Sequence, residues 1–341
     1  MKITKAKYFL IPVAVCMLAI IGIAYYYFLS DFSQHQQTMY VYIDDDDDID
    51  SVLVKLEPIA KTHAMTGFST LARHTRYAEK VWTGRFAIEP GESTLNVLRT
   101  LKNGQQTAIM LTIPESRTME KLAGTLAHKL MLDSAETAAM LTDNAFCMRY
   151  GYDTATVAAL FVPNTYEVYW NVTLEHFMER MQREHDAFWK GTRTQKAAAI
   201  NLTPTEVCTL ASIIDEETAN NDEKPMIAGM YLNRLREHMP LQADPTVKFA
   251  MKNFGLKRIY HDMLFFDSPY NTYRNEGLPP GPIKIASVKG IDAVLNHVSH
   301  DYLYMCAKED FSGTHNFAVT YQEHLKNAAQ YAKALNERGI K

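Results

Sequence analysis

The sequence predicts an α+β protein with a single N-terminal transmembrane helix, small α/β modules in its middle and a larger α+β domain at its C-terminal end. An uncharged apolar run, Tyr8 to Leu29, is long enough at about 1.5 Å per residue to span a bilayer core. Short β-branched and aromatic runs at 40–43, 84–88 and 107–113 alternate with helical patterns. Beyond residue 150, long helical periods lead to one late hairpin pattern. A chain of 341 residues with 47% hydrophobic content allows two or three domains with sizeable cores. A net charge of -4 argues against a nucleic-acid partner, which needs a concentrated basic patch.

Lys2, Lys5 and Lys7 precede the apolar run and Asp31 follows it, so the positive-inside rule places residues 1–7 in the cytoplasm. A cleaved signal would have a shorter apolar core and a small-x-small site, whereas this run ends Tyr-Tyr-Tyr-Phe-Leu-Ser. Val15 before Cys16 is a poor lipobox residue. The expectation is an uncleaved anchor over residues 8–29 in the inner (cytoplasmic) membrane, with everything after Ser30 outside. Cys147, Cys208 and Cys306 match no metal spacing and no disulfide framework, and are expected to be buried apolar residues.

Residues 30–150 begin with a strand at Tyr40 to Ile43, the acidic run Asp44 to Asp48 and a helix reaching about Ala60. The acidic run lacks the ligand order of an EF-hand, so it reads as a solvated turn that puts negative charge at a helix N-terminus. Gly84 to Ile88 forms a strand, Pro90-Gly91 a turn, and Ser93 to Lys102 a helix stopped by Asn103-Gly104. A strand at Thr107 to Ile113 and a capped helix from about Thr118 follow. These strand–helix units are reminiscent of small glycan-binding LysM modules. The block Leu160 to Tyr166, with Phe161, Tyr166, Tyr169 and Trp170, offers aromatic faces for sugar stacking, yet clustered aromatics are more often core, and chemistry alone does not assign it. An amphipathic helix over about Leu174 to Lys190 comes next.

The most informative stretch is Asn201 to Thr218. Thr203-Pro204 with Glu206 three residues on is a capping box with proline at the first helical position. Leu210, Ile213 and Ile214 share one face, and Glu217 continues that stripe, while Asp215 and Glu216 are expected to point to the solvated side. A carboxylate in an apolar stripe is either the end of a structural helix paired to an arginine, or a general acid whose pKa is raised by desolvation. Downstream, Asn220-Asn221-Asp222 caps a helix carrying Tyr231-Leu232-Asn233-Arg234-Leu235, and Asp244 is placed to cap a helix beginning at Pro245. Rigid loops at Ser268 to Tyr273 and Gly277 to Ile283 suit a binding wall. Tyr302 to Ala307 and Thr314 to Val319 form a hairpin, and a last helix starts near Thr320.

The order of these blocks resembles the membrane-bound endolytic murein transglycosylases, the MltG or YceG-like family. The residues that carry the resemblance are Ala211-Ser212-Ile213-Ile214-Asp215-Glu216-Glu217-Thr218, Asn233-Arg234-Leu235, Leu241-Gln242-Ala243-Asp244-Pro245-Thr246-Val247, Tyr270-Asn271-Thr272-Tyr273 and Gly277-Leu278-Pro279-Pro280-Gly281-Pro282-Ile283. Two positions depart from the family pattern: Asp215 stands where glutamate is usual, and Asn164 where aspartate is usual. The resemblance implies a YceG-like catalytic domain over residues 151–341, with a lysozyme-like catalytic glutamate on a helix, matched by Glu217. It implies cleavage of the bond between N-acetylmuramic acid and N-acetylglucosamine in nascent peptidoglycan, without water, leaving a 1,6-anhydro end and terminating strand growth. Neither a metal nor an organic cofactor is expected. Glycan strands are the implied substrate and peptidoglycan synthases the implied partners. Asn233, Arg234, Gln242, Asp244, Tyr270, Asn271 and Tyr273 are the expected substrate-binding residues by motif position. A hydrolytic muramidase would use Asp244 as its second carboxylate, and a noncatalytic wall-binding scaffold would have a degenerate site.

Overall fold

The computed structural model describes residues 2–256 and 258–338. The chain divides into two compact units, one of Met1–Leu111, Lys129–Met131 and Glu167–Val172, the other of Thr112–His128, Leu132–Tyr166 and Thr173–Lys341. The middle region that the sequence delimits as 30–150 is thus shared, most of residues 112–150 packing with the second unit.

Helix α1 (Lys2–Ala24) continues into a π-helical turn, Tyr25–Leu29. Among the described residues, Leu10–Leu29 is the single unbroken helical run long and apolar enough to cross a membrane, with a mean hydropathy of 2.1. Its side chains from Leu10 to Ile23 lie open, as a lipid-facing surface requires. The turn packs on α3 (Thr62–His74): Tyr26 stacks on His63 at 4.1 Å, and a Cβ on Gly67 would come within 2.0 Å of the Tyr27 carbonyl oxygen. Only glycine admits that approach.

The rest of the first unit is a strand–helix–helix–strand module. Strand β1 (Met39–Ile43) pairs antiparallel with β2 (Gly84–Ile88), Met39 opposite Ile88 and Ile43 opposite Gly84. Val41, Ile43, Phe86 and Ile88 point inward, Tyr40 and Tyr42 outward, the period-two alternation of a half-buried pair. Between the strands come α2 (Ile49–Leu56) and α3, and after them α4 (Thr94–Lys102). Their apolar faces close a core around Phe32, Val52, Leu56, Phe68, Tyr77, Val97 and Leu101. Each such side chain contributes on the order of 1.5–3 kcal/mol by burial. Asp48 caps α2 by accepting from Ser51 N at 2.9 Å, and Ser93 caps α4 by accepting from Asn96 N. Asp44 and Asp47 hold Lys55, so the acidic run is a capped, internally paired turn.

Strand β3 (Ile109–Thr112) leads into α5 (Met119–Lys129), α6 (Ser134–Leu141) and α7 (Asn144–Met148). Strand β4 (Thr165–Val168) follows; Phe161 stacks on Phe177, and Tyr166 is buried with its hydroxyl donating to Val162 O at 2.7 Å. These two aromatics are therefore core, whereas Tyr169 is exposed. Asn164 accepts from the Thr165 amide and shapes the turn before β4. Helix α8 (Leu174–Trp189) and α9 (Thr192–Ala199) then bring the chain to α10 (Pro204–Glu217), the centre of the second unit. α10 packs against α9, α11 (Lys224–Arg236), α12 (Asp244–Ala250) and α13 (Val288–Leu295). Strands β5 (Tyr304–Ala307) and β6 (His315–Ala318) form the expected antiparallel hairpin, and α14 (Tyr321–Glu337) begins with a capping box of Thr320 and Glu323.

Candidate active site

The site is built on the C-terminal end of α10. Its capping box is present: Thr203 Oγ1 accepts from Glu206 N, and Glu206 accepts from Thr203 N at 2.7 Å. Every residue from Val207 to Ile214 is buried, so α10 has no solvent face to define a stripe. This changes the reading of the two acids before Glu217. Asp215, expected to be solvated, has a side chain only 2% exposed. It pairs with Lys224 at 2.6 Å and accepts from Ser287 N at 2.7 Å and Ser287 Oγ at 2.8 Å. A Cβ on Gly290 would meet its carboxylate at 2.6 Å, so the helix crossing here is sized for a short acid. Glu216 is also paired, bidentately by Arg117 and by Lys284 at 3.4 Å. Both are structural ion pairs. They fix the last turn of α10 against its neighbours.

Glu217, the last residue of α10, is left to face a cleft of about 230 Å³ lined also by Tyr231, Arg234, Gln242, Asp244 and Tyr273. The Tyr231 hydroxyl donates to Glu217 Oε1 at 2.9 Å. Burial pushes the Glu217 carboxyl up to about 7; the Tyr231 hydrogen bond opposes this, Asp244 adds to it, and Lys248 and Arg234 oppose it. A helix C-terminus also disfavours an anion. Desolvation wins because two cations at a distance do not replace a hydration shell. Burial and Glu217 itself hold the Tyr231 phenol well above its usual range, so it remains a donor.

Arg234 is 7% exposed and serves mainly as a clamp: Nε donates to Leu303 O at 2.6 Å, and Nη1 to Leu241 O at 2.8 Å and Pro240 O at 3.2 Å. It ties α11 to the loop before Asp244 and to the hairpin, while its charge lines the cleft. Gln242 sits at φ 51° and lines the cleft, its backbone N–H donating to Thr272 O at 3.0 Å. Thr246 and Thr272 share a hydrogen bond at 2.9 Å, and Thr272 accepts from Ala243 N, so both segments move as one. Asp244 is the first residue of α12 and its side chain caps nothing; it accepts instead from the Tyr273 hydroxyl at 2.6 Å.

Three expected cleft residues are elsewhere. Asn233 is 6% exposed, its side-chain amide donating to the carbonyls of His300 and Tyr302. Asn271 is fully buried and donates to Leu264 O and Phe266 O. Each satisfies loop carbonyls that would otherwise be orphaned. Tyr270 packs on Phe249 at 4.7 Å between ring centres and lines a separate pocket. Asn220 shapes a turn by accepting from Asp222 N, and α11 starts without a side-chain cap. Cys306 is half-exposed and lines the cleft, unlike the buried Cys147 and Cys208. Tyr231 was not singled out from the sequence, although its spacing of three from Arg234 places both on one helical face. His315, held by Glu223 at 3.0 Å, also lines the cleft from β6.

Residues 41–330 match the YceG-like family. The chain is similar to the endolytic murein transglycosylase of Bacillus subtilis, 28% identical over 274 residues that cover 75% of this chain and 74% of that protein. The endolytic murein transglycosylase of Streptococcus pneumoniae is 27% identical over 304 residues, 78% of this chain and 53% of that longer protein. A crystal structure of a YceG-like protein from Listeria monocytogenes superposes with a TM-score of 0.55 at 26% identity, covering 86% of this chain and 99% of that one.

Proposed function

The chain belongs to the YceG-like family, and from that premise we propose that it is an endolytic murein transglycosylase with Glu217 as its single acid and base. The observation that carries the assignment is a carboxyl with a pKa of about 7 at the floor of a cleft. Such a group still holds a proton near neutral pH. It donates that proton to the glycosidic oxygen between N-acetylmuramic acid and N-acetylglucosamine as the bond breaks and an oxocarbenium-like centre develops at the muramic C1. The muramic C6 hydroxyl attacks that carbon and closes the 1,6-anhydro ring, and its proton returns to Glu217. One carboxyl does both transfers, so no water is consumed. Tyr231 orients Glu217, and Asp244, held by Tyr273, places a negative charge beside the developing cation.

The wider reading is that the chain acts on nascent strands from the cytoplasmic membrane, with residues after Ser30 outside and synthases as its working partners. The strand–helix–helix–strand order of the first unit supports a LysM-like module that positions glycan. Asp244 in the same cleft favours a muramidase as the second reading. Mass spectrometry of glycan strands digested by the purified protein separates the two. Transglycosylation gives anhydro ends that vanish with Glu217→Gln; a muramidase gives reducing ends and loses activity with Asp244→Asn as well.

A further inference from the structure

A second pocket of about 430 Å³ opens in the same unit, and neither the acid nor its cleft partners line it. Its apolar wall includes Met119, Val157 and Phe249, and Thr118, Thr142 and Thr154 add hydroxyls that both donate and accept. Arg117 is held by Glu216 through Nε and Nη2, and among the described residues Nη1 has no hydrogen-bond partner. The Tyr270 hydroxyl has none either, and burial pushes its pKa up to about 12, so it stays a donor. Lys252, two residues past the end of α12 with φ 52°, is exposed and makes no ion pair among the described residues. Three donors therefore converge on one apolar pocket, with the exposed Glu120 as the carboxylate in its lining. An unpaired ammonium beside a guanidinium N–H and a phenol hydroxyl suits a carboxylate.

Helix α12 connects the two sites, with Asp244 in the cleft and Phe249 and Lys252 at the pocket. Its 7 residues span about 10 Å at about 1.5 Å each. We propose that this pocket receives the peptide stem carried by the muramic residue beside the scissile bond. The proposal rests on the transglycosylase reading for the location of that residue. An extended peptide reaches about 3.3–3.6 Å per residue, so about three residues cover the distance from cleft to pocket. The stem has small alanyl side chains for the apolar wall, free carboxylates for Lys252, Arg117 and Tyr270, and a diamino acid whose ammonium suits Glu120. The charges match in sign.

The test has two arms on the full-length protein in detergent. In the first, calorimetry measures binding of a synthetic stem tetrapeptide ending in a free D-alanine carboxylate, and of the same peptide with its carboxylates amidated. The free acid should bind at least about fivefold tighter, and Lys252→Gly should remove most of that difference. Glycine relaxes the left-handed backbone at this position, so lost binding cannot be blamed on strain. In the second arm, cutting rates are compared on strands with and without stem peptides. The parent should prefer peptide-bearing strands through KM, and the preference should shrink toward one in Lys252→Gly. Equal binding of free and amidated peptides, or an unchanged strand preference, overturns the proposal. The peptide arm needs no catalysis, so it still decides this point if the protein proves not to cut glycan.

Discussion

At the scale of the residue, the account depends on the proton carried by Glu217. Its folded pKa of about 7 exceeds the ordinary value of 4.5, so between these values the folded state binds the proton that the unfolded chain has released. That contribution to stability is complete below about pH 4.5 and is lost as pH rises through about 7, reaching on the order of 3 kcal/mol. Glu217→Gln should therefore melt close to the parent at pH 4.5 and several degrees above it at pH 9. Activity should fall along an alkaline limb with a midpoint near 7, because the acid form starts the reaction. Thermal melts and initial rates across this range check both. Melting curves that stay parallel at all pH values would mean that the carboxyl is solvated and ordinary.

At the scale of the element, α10 shows what periodicity can and cannot deliver. Its start is legible because capping is local: Thr203, Pro204 and Glu206 are adjacent and need no partner from elsewhere. The caps that Asp48, Ser93 and Thr320 make are equally local, at helix starts that the sequence marks. The faces of α10 were not legible, because a helix packed by four others has no outside. Asp215 became buried through Lys224, Ser287 and Gly290, which lie 9 to 75 positions away, and no local rule reports such contacts. Asn233 and Asn271 likewise look like substrate donors until the carbonyls they satisfy are known. Asp215→Asn leaves the Lys224 ammonium buried without its counter-charge, which typically costs about 3–5 kcal/mol. That predicts a melting temperature lower by about 5–10 °C, with activity lost in parallel with folded protein rather than ahead of it. A variant that melted like the parent would show that the pair is solvated.

At the scale of the whole molecule, the sequence predicted the apolar N-terminal helix, the alternating strands and helices and the late hairpin, and all three are present. It did not predict the division of the chain, in which segments 129–131 and 167–172 return to the first unit. Such returns depend on long-range packing that composition does not encode. On the proposed topology, protease added to spheroplasts should degrade the large domain beyond Ser30; full protection would overturn that topology. The central claim, that one carboxyl breaks the glycosidic bond without water, is tested most directly by digesting purified strands in water labelled with heavy oxygen. The account predicts anhydro-ended fragments that carry no label, formed by the parent and not by Glu217→Gln. Fragments with labelled reducing ends would contradict it, since their oxygen can come only from hydrolysis.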